Sequence, residues 1–60
     1  MMTEAKLIEQ LDKARLDLPE LLKSVQLKID NNDFDGAIEN LAIVNANLVG
    51  IIILTELLNA

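Results

Sequence analysis

Residues Leu41 to Leu58 read LAIVNANLVGIIILTELL, and this stretch decides the fold. It is apolar at thirteen of eighteen positions, carries one charge (Glu56), and contains neither proline nor a Gly-Asn or Gly-Asp turn pair. Its length predicts a helix of several turns. At about 100° per residue no polar face emerges. Asn40 and Asn47 mark the wettest strip, with Ile43, Ile51, Leu54 and Leu58 crowded around it. A helix apolar all round has to be enclosed on all sides. The rest of the chain offers one amphipathic helix for that purpose, so the remaining cover is expected from another molecule.

That second helix lies upstream. From Thr3 to about residue 30, Leu7, Leu11, Ala14, Leu18, Leu21 and Val25 recur at alternating spacings of four and three, with Ile8, Leu22 and Ile29 widening the stripe. Thr3 is the expected N-cap, with Glu4 beside the positive end of the macrodipole. Pro19 interrupts the pattern. Either Asp17 caps a new helix with Pro19 in its first turn, or one helix bends at Pro19. The unbroken heptad phase from Leu7 to Val25 favours the bend.

Between the helices lies DNNDFDG, Asp30 to Gly36, a cluster of turn-forming residue types. Asn31 is expected to take the left-handed conformation that ends the first helix, and Asn32 to cap the second. A turn of about 31–33 makes the helices antiparallel neighbours. The expected architecture is therefore all-α: one domain over 1–60, with helix 1 at about 3–30 and helix 2 at about 33–58. This helical hairpin is expected to self-associate as a homodimeric four-helix bundle.

The second helix then has three faces to assign. Phe34, Ile38, Leu41, Leu48 and Ile52 are expected against helix 1, with Phe34 plugging the mouth of the hairpin. Beside them runs a small-residue stripe, Ala42, Ala46 and Gly50, which suits close approach of another backbone. The far side carries Ile43, Ile51, Leu54 and Leu58. Together Ala42, Ile43, Ala46, Gly50, Ile51, Leu54 and Leu58 form the expected oligomer or partner interface. Asn45 lies near the face expected to meet helix 1. It and Asn47 are candidates for a buried amide that sets register or oligomeric state.

Composition limits the function classes. Sixty residues without cysteine or histidine leave neither a disulfide staple nor the usual zinc and haem ligands. The net charge of −5 argues against a phosphate-backbone binder, and all five bases (Lys6, Lys13, Arg15, Lys23, Lys28) lie in the first half among acids. Thr3, Ser24 and Thr55 are the only hydroxyls, with nothing to activate them, so no enzyme and no cofactor are expected. The opening MMTEAK is polar, which makes the cytoplasm the expected compartment.

Three resemblances bear on this reading. Asn31 to Ala42, NNDFDGAIENLA, resembles the calcium loop of an EF-hand at Asn31, Asp33, Asp35, Gly36 and Ile38, which would imply a weak calcium site. The twelfth place holds Ala42 instead of the bidentate glutamate, which favours a helix-capping turn. Phe34 and Ala37 are similar to the aromatic and alanine that lead the second helix of a tetratricopeptide hairpin, although Val25 and Lys28 stand where glycine and tyrosine are expected. The expected bundle resembles that of small plasmid copy-number RNA-binding dimers, whose outer face is basic and aromatic where this one is mixed and acidic. Asn40 to Thr55 is uncharged and could enter a bilayer, but Asn45 and Asn47 break it and no base flanks it closely. The expected function is thus protein association: a homo-oligomeric structural or regulatory module, or else an adaptor or inhibitor that docks helix 2 on a larger protein.

Overall fold

The computed structural model describes residues 3–60, which form two helices joined by a three-residue turn: α1, Glu4–Asp30, and α2, Phe34–Asn59. They pack side by side in a rod of 43 × 16 × 15 Å. The fold is a helical hairpin.

α1 starts where the sequence places its start. The Thr3 hydroxyl oxygen accepts from the Lys6 backbone N–H at 3.2 Å, which satisfies one of the amides a helix leaves open at its first turn. The helix then runs unbroken through Pro19. Pro19 is exposed, so the Arg15 carbonyl that loses its amide donor there lies toward the wet side of the helix. A new helix capped by Asp17 does not form.

The turn differs from expectation by one residue. Asn32, not Asn31, takes the left-handed conformation (φ 60°), while Asn31 lies in the bridge region at φ −91°, ψ 8°. Two backbone bonds explain the shift: the Asn32 N–H donates to the Ile29 carbonyl at 2.9 Å and the Asp33 N–H to the Lys28 carbonyl at 2.8 Å. This pair is the Schellman closure, which requires the left-handed residue one place after the C-cap. Asp33 then ends one helix and begins the next. Its Oδ1 accepts from the Gly36 N–H at 2.9 Å, and its Oδ2 sits 3.5 Å from the Lys28 ammonium. Asp33 is therefore the N-cap in place of Asn32.

The packed seam is a pair of antiparallel heptad rows. On α1 it is Leu7, Leu11, Ala14, Leu18, Leu21, Val25 and Lys28, all buried or half-buried, as the stripe predicts. On α2 it is Ala37, Asn40, Val44, Asn47, Ile51, Leu54 and Leu58. The buried apolar side chains are Leu11, Val25, Ala37 and Val44, none of them completely sealed from solvent, with Leu18 and Leu21 packed on the last three. The face expected against α1 is not the one that packs there. Phe34, Ile38, Leu41, Leu48 and Ile52 are 41–64% exposed, so Phe34 plugs nothing. Asn45 is also exposed, and the amides facing α1 are those of Asn40 and Asn47.

Candidate functional site

The seam of α2 carries two of its three inner asparagines, Asn40 and Asn47, and α1 offers a matching polar row beside its own seam. Gln10, Asp17 and Ser24 recur every seven residues on α1; Asn40, Asn47 and Leu54 recur every seven on α2. Run antiparallel, the two rows meet rung by rung. At the first rung the Asn40 amide donates to the Ser24 hydroxyl at 2.7 Å. Further along, Asn47 and Leu54 share an open cleft with Gln10, Lys13, Ala14 and Asp17. There the Asn47 Oδ1 is shut off from solvent without a hydrogen-bond partner, whereas Asn40 is satisfied. Unsatisfied buried acceptors cost about 1–3 kcal/mol, so the second rung weakens the hairpin it helps to align.

Because both helices are right-handed and run in opposite directions, equal offsets along each chain point to the same side of the hairpin. Residues three after a seam position fall on one side. From α1 these are Gln10, Asp17 and Ser24; from α2, Ile43, Gly50 and Leu57. That side is mixed and contains the cleft. Residues one or four after a seam position fall on the other side: Ile8, Arg15, Leu22 and Ile29 from α1, and Phe34, Leu41, Leu48 and Ile52 from α2. Arg15 is the one charge among them. Ile8, Leu22 and Ile29 are 42–49% exposed, so this side is a continuous apolar flank running the length of the rod.

The residues expected to form an interface separate in space. Gly50, Ile51, Leu54 and Leu58 are half-buried, with Ile51, Leu54 and Leu58 on the seam toward α1. Ala42, Ile43 and Ala46 are exposed on the outside of α2. No atom lies within 4 Å of where a Gly50 side chain would begin. The flank residues Phe34, Leu41, Leu48 and Ile52, together with Ile8, Leu22 and Ile29, belong with the outer surface and are the ones the heptad reading had assigned inward. The signal that could have redirected them is the seven-residue match between Gln10, Asp17, Ser24 and the two asparagines.

The turn has the chemistry of a cap. The Asp33 oxygens are taken by Gly36 and Lys28, Asp35 is exposed in the first turn of α2, and among the described residues no group of three acidic, histidine or cysteine side chains converges as a metal site would require. A side chain on Gly36 would begin 2.5 Å from the Asp33 Oδ2, so it would displace the Asp33 carboxylate from this cap geometry. No family model matches the chain, and no curated protein or solved structure matches it significantly.

Proposed function

We propose that this chain is a non-catalytic association module whose apolar flank is covered by a second copy, giving a homodimeric four-helix bundle. The carrying observation is the flank itself: seven large aliphatic or aromatic side chains in one continuous strip, from both helices, each at least 41% exposed. Patches of that extent on soluble proteins mark association sites. The chain exposes 4650 Å², whereas a compact monomer of its mass exposes about 3,900 Å². The excess of roughly 750 Å² goes with the rod shape and the uncovered flank. The core argues the same way, since a domain of about sixty residues with four buried side chains among those described, none of them fully sealed, has little to hold it folded alone.

Sedimentation of the purified chain over a wide concentration range, with helicity followed on the same samples, tests the proposal. The chain has neither tryptophan nor tyrosine, so detection uses interference optics. The expected result is twice the 6.6 kDa chain mass, with helicity falling on dilution as the dimer dissociates. A helical monomer that binds hydrophobic dyes would overturn it in favour of docking on a different protein. One observation favours a second reading, insertion in lipid: α2 is long and apolar enough to cross a membrane, and little of it is buried against α1. Retention of the chain in detergent alone would select that reading.

A further inference from the structure

Resting on the self-association reading, we infer that the second copy docks antiparallel, α2 against α2, with Asn45 on the two-fold axis. In an antiparallel contact between identical helices, a residue a given number of places before the axis meets the residue the same number after it on the partner. Asn45 is the position on the outer side of α2 about which the apolar residues are symmetric out to seven places, while at eleven places Phe34 meets Glu56. Three places away stand Ala42 and Leu48, four away Leu41 and Val49, seven away Ile38 and Ile52. Leu48 would lie over the partner's small Ala42, a large-on-small fit, and each isoleucine over its counterpart. α1 repeats the symmetry at the same level. Ser24 stands across from Asn40, and Gln10 shares the cleft with Leu54, so the level of Asn45 crosses α1 at Pro19. Ile8 and Ile29 lie equally far from that level to within one residue, as do Arg15 and Leu22.

Two further features agree with this placement. Asn45 is exposed among Leu41, Leu48, Ile38 and Ile52 and makes no hydrogen bond within the hairpin. On the axis its amide meets the same amide of the partner, one donating and the other accepting, which is how a lone polar group in an apolar seam fixes register. Charge is compatible with either direction and only spreads the acids more evenly in the antiparallel one. The turn end holds Asp30, Asp33, Asp35 and Glu39 against Lys28. A parallel pairing would gather two such ends. The antiparallel one separates them by the 43 Å length of the rod, several Debye lengths at physiological salt, and sets each beside Glu4, Lys6, Glu9 and Glu56, which are less acidic than a second turn end.

The chain has no cysteine, so single-cysteine variants report contacts cleanly. With a mild oxidant such as diamide, Asn45→Cys should form a covalent dimer nearly completely, at least tenfold faster than Leu16→Cys on the exposed back of α1. Ile38→Cys and Ile52→Cys should each fail to couple with themselves and should couple with each other when mixed. A wild-type mass of two chains together with slow Asn45→Cys coupling, or self-coupling of Ile38→Cys, would overturn this orientation and leave the association reading standing. A wild-type mass of one chain would overturn both.

Discussion

The two long surfaces of α2 divide its chemistry unevenly. Toward α1 its first half presents Ala37, Asn40, Val44 and Asn47, two small or β-branched side chains alternating with two amides, and its second half Ile51, Leu54 and Leu58; away from it stand Phe34, Leu41, Leu48 and Ile52. The buried seam is the more polar of the two. A helix that turns Asn40 and Asn47 inward and Leu41 and Leu48 outward is using that part of the intramolecular contact for alignment, with the Asn40–Ser24 bond as the rung that sets the register. Its larger hydrophobic area is left for whatever covers the flank.

The largest test of this contrast is a charge on the outer surface. Leu48→Asp should weaken association by about 3–5 kcal/mol, the cost of an unpaired charge buried at an interface, or roughly a hundred- to several-thousand-fold in dissociation constant. Sedimentation checks it; an unchanged mass would mean that Leu48 is not in the contact. Next come the two seam amides, whose substitutions should have opposite signs. Asn47→Leu removes an unsatisfied acceptor and adds apolar contact, so it should stabilise by about 1–2 kcal/mol. Asn40→Ala breaks a satisfied bond and should cost about 1 kcal/mol. Thermal unfolding at fixed concentration reads both, and equal signs would contradict the division drawn between the rungs.

Smaller effects come from the glycines. Gly50→Ala meets open space, so it should stabilise by up to about 1 kcal/mol through helix propensity alone. A loss on dilution would instead place Gly50 against another backbone, reviving the Ala42, Ala46, Gly50 stripe as a contact. Gly36→Ala should change unfolding by less than about 0.5 kcal/mol, because the same propensity gain offsets the displaced Asp33 cap, itself worth about 1 kcal/mol. A much larger loss would show that Asp33 cannot move aside.

These tests follow the boundary between what was legible in the chain and what was not. The Thr3 cap, the Leu7-to-Val25 stripe and the antiparallel hairpin were legible because each rests on a local pattern with one physical solution. The side of α2 that faces α1 was not. A helix apolar all round has no preferred face on a helical wheel, and ranking faces by hydrophobicity put Leu41 and Leu48 inward. What decides the orientation is a non-local match, Gln10, Asp17 and Ser24 against Asn40 and Asn47, visible only when both helices are laid side by side. The cap residues slipped by one for a similar reason: the Schellman bonds to Lys28 and Ile29, rather than intrinsic preference between neighbouring asparagines, choose which one turns left-handed.

The meagre interior of the hairpin, Leu11, Val25, Ala37 and Val44, carries a kinetic consequence. If most of the stabilising area lies between copies, ordering the chain and finding a mate are one bimolecular event, with a refolding rate that rises with the amount of protein present. Halving the rate of synthesis would then do more than halve the assembled pool, since solitary chains open and are cleared by proteases. Dosage itself becomes the control on how much of the protein persists.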